Sequence, residues 1–90
     1  MTKDNVYAYP NPVRPDYNGV ITITGLTNDA DVKITTSNGV LVNQGRATNG
    51  QYLWYGLDSN GKRVASGIYM VMVATAEGDK GVVCKIAIIN

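Results

Sequence analysis

The run Trp54-Tyr55-Gly56-Leu57-Asp58-Ser59-Asn60-Gly61-Lys62-Arg63-Val64-Ala65-Ser66-Gly67-Ile68-Tyr69 constrains the fold more than any other part of this chain. It starts from an aromatic strand end and passes through a polar Ser59-Asn60-Gly61 loop. A second loop closes on Ser66-Gly67, and the unbroken apolar run Ile68 to Ala74 follows. Two strands of a β-sandwich joined by a long, ordered connection account for this pattern. Gly67 stands where the loop turns into the longest apolar strand, so it is expected to need a positive φ or a close backbone approach.

The rest of the chain reads the same way. Val6-Tyr7-Ala8-Tyr9 is a first strand, ended by Pro10-Asn11-Pro12-Val13-Arg14-Pro15. Prolines lack a ladder donor, so this segment fits an edge strand leaving its sheet at Pro10. Val20 to Thr24 alternates, with Ile21 and Ile23 on one face. Val32 to Thr35 places Val32 and Ile34 inward, and Ser37-Asn38-Gly39 predicts a tight primed hairpin into Val40-Leu41-Val42-Asn43-Gln44. Asn49-Gly50 repeats the turn chemistry before Gln51-Tyr52-Leu53-Trp54. Ile68 to Thr75, a turn at Glu77-Gly78-Asp79, and Lys80 to Ile89 complete about seven strands with no helical periodicity. The predicted fold is all-β: an immunoglobulin-like antiparallel sandwich over residues 6–90, with a small barrel as the alternative. Residues 1–5 read as a linker or as added expression residues. Trp54, Tyr69, Val71, Ile21, Ile23, Val32, Ile34 and Ile86 are the expected core.

Composition narrows function mainly by exclusion. Ninety residues make one domain. Eight basic and seven acidic residues leave a net charge of +1, too little for the dense cationic face that nucleic acid requires. Histidine is absent, which removes Ser-His-Asp and Cys-His catalysis and histidine-cysteine metal sites. No cofactor and no catalytic residue is expected. Asp29 with Asp31, and Asp58 with Asn60, could bind calcium, but they read first as turn-forming side chains. Cys84 has no disulfide partner in the chain and reads as a buried, inert thiol. No stretch approaches the ~20 apolar residues that span a bilayer, and the polar start Met1-Thr2-Lys3-Asp4 carries no export signal.

Apart from Tyr69 and Lys85, the last two strands are apolar on both faces, whereas one face of each strand in so small a sandwich should meet solvent. With Tyr69, Val71 and Val73 inward, Met70 and Met72 point out. With Cys84, Ile86 and Ile88 inward, Val83, Ala87 and Ile89 point out. These five residues form a candidate docking surface. The alternative is that small or flexible side chains only shield the sheet. Tyr17, Tyr52 and Tyr55 are candidates for stacking on sugar, with core or turn packing as the plainer reading.

From Val6 onward the sequence resembles the carboxy-terminal sorting domains of the type IX secretion system of Bacteroidetes. The resemblance lies in Tyr9-Pro10-Asn11-Pro12, the hairpin Gly39-Val40-Leu41-Val42, the strand start Gly67-Ile68-Tyr69 and the closing Lys85-Ile86-Ala87-Ile88. The middle segment is also similar to the immunoglobulin-like domain of flagellar hook-capping proteins, Trp-Asp-Gly-x-Asp-x-x-Gly-x-x-Val-x-x-Gly-x-Tyr. Trp54, Gly56, Asp58, Gly61, Val64, Gly67 and Tyr69 match it, and Tyr55 replaces its first Asp. The resemblance implies a non-enzymatic module at the end of a longer exported protein, brought to the periplasm, outer membrane or cell surface of a Gram-negative bacterium by an upstream signal peptide. Its implied partners are secretion or outer-membrane attachment proteins and the preceding domains of its own chain. Alternatives are a surface adhesion or carbohydrate-binding accessory module, or the terminal domain of a propeller-bearing two-component sensor or regulator.

Overall fold

A computed structural model of the chain describes residues 6–27, 29–74 and 80–89. Residues 1–5, the turn at Glu77-Gly78-Asp79, Asn90 and the side chain of Val83 lie outside what it describes. Seven strands follow in order: β1 (Tyr7–Tyr9), β2 (Ile21–Thr24), β3 (Asp31–Thr36), β4 (Leu41–Arg46), β5 (Gln51–Trp54), β6 (Gly67–Ala74) and β7 (Lys80–Ile88). They form two antiparallel sheets, β1-β2-β5 and β4-β3-β6-β7. This is an immunoglobulin-like sandwich and not a closed barrel.

Alternation in the strands fills the space between the sheets. Ile21 and Ile23 from β2, Trp54 from β5, Val32 and Ile34 from β3, Val71 from β6 and Ile86 from β7 are essentially inaccessible to solvent. Tyr69 joins them, so all eight expected core residues are buried. Val13, Ala30, Ala47 and Val64, all in connections, also belong to the core, as do Val6, Ala8, Leu26, Val73 and Ile88. Burial of these apolar surfaces is what holds so short a chain together.

The Asn-Gly turns divide into two kinds. At Asn49-Gly50 both residues have positive φ (56° and 80°), and Thr48 and Gln51 exchange both backbone hydrogen bonds. That is the two-residue primed turn. At Ser37-Asn38-Gly39 only Gly39 has a positive φ, 90°. The Thr36 N–H donates to the Val40 carbonyl at 2.8 Å and the Gly39 N–H to the Thr36 carbonyl at 2.9 Å, so the loop has three residues. The expected tight primed hairpin is thus corrected to a three-residue loop with glycine in the left-handed position. Ser59-Asn60-Gly61 has the same design, with Gly61 at φ 78° and Asp58 paired to Lys62. Gly67 has φ 157°, at the margin of extended backbone, and no atom crowds its Cβ position within 4 Å. The positive φ is present and the close approach is not.

Candidate functional site

The Pro10-Asn11-Pro12 element works at the edge of β7. Pro10 and Pro12 have no N–H, so Asn11 carries the segment's one backbone donor between them. A side-chain amide offers a donor and an acceptor much as a peptide unit does. Asn11 uses both: its Nδ2 donates to the Lys85 carbonyl at 2.9 Å, and its Oδ1 accepts from the Ala87 N–H at 3.0 Å. Val13 then adds a parallel bridge. Its N–H donates to the Ala87 carbonyl, and its carbonyl accepts from the Ile89 N–H, both at 2.7 Å. The chain thereby crosses from the first sheet to the second and closes the outer edge of the final strand, a row that would otherwise invite strand pairing. Both X-Pro bonds here, Tyr9-Pro10 and Asn11-Pro12, are cis.

The connection from Trp54 to Tyr69 is held by its own side chains. Trp54 is 2% exposed, and its indole N–H donates to the Leu57 carbonyl at 2.9 Å. Its ring meets that of Tyr69 at a centroid distance of 5.7 Å and a tilt of 60°, a favoured aromatic arrangement. The Tyr69 hydroxyl donates back to the Ala65 carbonyl at 2.6 Å, in the manner of the tyrosine corner of immunoglobulin-like domains. Burial raises the Tyr69 pKa above its ordinary value of 10. Asp58 Oδ1 accepts from the N–H groups of Asn60 and Lys62. Gly56 turns at φ 73°, and the Val64 N–H closes onto its carbonyl.

The candidate docking surface lies on the outward face of β6 and β7. Met70, Met72 and Ala87 are half-buried, and Ile89 is 40% exposed. Ile68, not singled out from the sequence, is 47% exposed and pairs with Ala87. Across the sheet Met70 pairs with Lys85 on one side and Thr35 on the other, and Thr35 pairs with Leu41, which is 46% exposed. Alternation along β7 holds from Cys84 to Ile89 but breaks at Val83. The register shifts after Val71, so that Val71 pairs with Cys84 but Met72 with Val82. Cys84 is half-buried against the core and not fully buried as expected. Burial pushes its thiol pKa up, partly offset by backbone hydrogen bonds at Ala8 and Lys85.

The tyrosine candidates separate. Tyr17 and Tyr52 pack against the core, and Tyr55 is 57% exposed. The sequence reading missed Tyr7 and Tyr9, which are exposed with their rings 6.0 Å apart. Tyr52 seals the side of the sandwich opposite β7. Its ring lies over Gly45, where a Cβ would come within 2.6 Å, and its hydroxyl donates to Asn43 Oδ1. Of the calcium candidates, Asp31 pairs with Arg46 at 3.3 Å and Asp58 is committed to its own turn. Among the described residues no three His, Cys, Asp or Glu side chains converge as a metal site, and no helix is long and apolar enough to cross a membrane.

Residues 7–89 match the family described as the secretion system C-terminal sorting domain. The chain belongs to this family. Among solved structures it is similar to PorZ, an essential bacterial surface component of the type IX secretion system of Porphyromonas gingivalis. The similarity has a TM-score of 0.86 at 38% sequence identity and covers 97% of this chain. The chain spans 12% of the PorZ chain. No curated protein sequence matches it significantly.

Proposed function

We propose that this sorting domain is a non-catalytic module that acts by being bound. Type IX secretion or attachment proteins would engage it through the outward face of β6 and β7, at the periplasm, outer membrane or cell surface. The observation that carries the reading is the family match over residues 7–89. The arrangement of the family-pattern residues supports it. Asn11, Trp54, Gly56, Gly61 and Tyr69 all spend their chemistry inside the fold, on edge closure, turns and packing. Pro10 and Pro12 frame Asn11, Gly39 turns a hairpin, Gly67 opens β6, and Lys85 offers its backbone carbonyl. Recognition is assigned to the exposed side chains of that face, above all Ile68 and Ile89 beside Met70 and Ala87, with the exposed Lys85 among them.

The test is a fusion of residues 1–90 to an exported reporter in a type IX-competent bacterium. The reporter is expected at the cell surface. A reporter that stays in the periplasm with the intact domain attached rules out sorting. The likeness to PorZ, a surface component, supports a second reading, in which the domain remains part of its protein and serves in attachment.

A further inference from the structure

We propose that a rim pocket formed by Pro15, Asn18, Tyr55, Leu57 and Arg63 binds the carboxylate of an acidic side chain carried on an extended peptide. The pocket has a volume of about 390 Å³. Arg63 lies over Gly56, whose Cβ position is 3.9 Å from the Arg63 Cδ and Nε, and its Nη1 donates to the Tyr17 carbonyl at 3.1 Å. That bond uses one end of the guanidinium. Nε and Nη2 are buried and have no hydrogen-bond partner among the described residues. Their N–H groups run side by side along one edge of the planar group, spaced for the two oxygens of a carboxylate. Buried donors of this kind are costly to leave unpaired.

No acidic side chain lines the pocket, and the carboxylate of Asp58 is engaged by Asn60 and Lys62. Pro15, Leu57 and the exposed ring of Tyr55 supply apolar walls for the residues flanking an acid. Tyr55 directly continues β5, which pairs with β2 and has no strand on its outer side among the described residues. A peptide added along that edge would run toward the pocket. Both nitrogens are shielded from solvent, so the proposed binding requires what covers them to move aside. Tyr55 and Leu57 are exposed, and exposed side chains change rotamer within nanoseconds.

The test is a titration read on the arginine Nε–H signals by NMR, with Arg14 and Arg46 as internal controls. The probes are the acetylated, amidated peptide Thr-Val-Glu-Val-Thr, its Gln counterpart, and acetate. The Glu peptide is expected to move the Arg63 signal saturably, with the Gln peptide about tenfold weaker or more. Arg63→Lys keeps a cation but loses the fork, and should weaken binding comparably. Tyr55→Ser, which leaves the guanidinium intact, should weaken it less. An Arg63 signal unmoved by the Glu peptide overturns the proposal. Equal binding of the Gln peptide removes the carboxylate from it, and equal binding of acetate removes the peptide. If Arg63→Lys does not fold, the Glu-to-Gln comparison on the unaltered domain decides.

Discussion

The two open sides of the sandwich are closed by different means. On one side Asn11 and Val13 hydrogen-bond along the backbone edge of β7. On the other a single side chain, Tyr52, covers Gly45 and reaches Asn43, and among the described residues the outer backbone edges of β4 and β5 carry no strand. The first closure is a matter of edge chemistry and the second of packing. Of the family-pattern residues, Pro10, Asn11, Pro12 and Lys85 fall at the first. In this chain, then, the Pro-Asn-Pro element occupies the backbone edge of the last strand, a row that would otherwise be open to pairing.

The largest expected effect removes what both closures enclose. Trp54→Ala deletes the core aromatic and should cost about 3–5 kcal/mol, enough to unfold so small a domain in a denaturant melt. A melt unchanged by this substitution would show that the two sides are not joined through Trp54. Asn11→Ala comes next. Two hydrogen bonds at about 0.5–1.5 kcal/mol each are lost, and the β7 edge opens. Light scattering should show concentration-dependent association that the unaltered domain lacks. Tyr52→Phe removes only the hydroxyl contact to Asn43 and should cost about 1 kcal/mol with no association. If Tyr52→Phe associates and Asn11→Ala does not, the contrast between the two sides is reversed.

The smallest effect is alkaline. Burial raises the pKa values of Tyr52 and Tyr69 above 10 and of Cys84 above 9. A group whose folded pKa is raised contributes its full stability below the unfolded value and loses it as pH climbs through the folded one. Stability should therefore hold up to about pH 9 with respect to these three groups and decline above it. Thermal melts between pH 8 and pH 11 check this. With no histidine in the chain, no imidazole titration adds a step near neutrality.

Much of the fold was legible because period-two alternation and turn residues are local signals. The strands and the eight core positions follow from them. What was not legible depends on distant or subtle partners. The bonds of Asn11 span 74 and 76 residues, and a proline-flanked segment reads locally as a loop. Asn38-Gly39 and Asn49-Gly50 share a dipeptide yet build different turns, because the backbone of Asn49 is left-handed and that of Asn38 is not. The register shift after Val71 interrupts the pairing of β7, and a shift of one residue exchanges the faces of a strand. Straight alternation therefore holds for Ala87 and Ile89 but not across the shift at Val83, and by the same alternation Ile68 shares the outward face of Met70 and Met72. Tyr17 and Tyr52 pack inward because each ring lies over a glycine, Gly19 and Gly45, where a Cβ would collide.

The central claim, that this domain is read from its outward β6–β7 face while its family-pattern residues hold the fold, is tested most directly by Ile68→Thr with Ile89→Thr. Both positions are exposed, and threonine keeps strand propensity. The measurement is surface display of the fused reporter, made on a variant whose melt matches the unaltered domain. The account predicts that the reporter accumulates in the periplasm. Display at the unaltered level would contradict it and leave that face a mere shield.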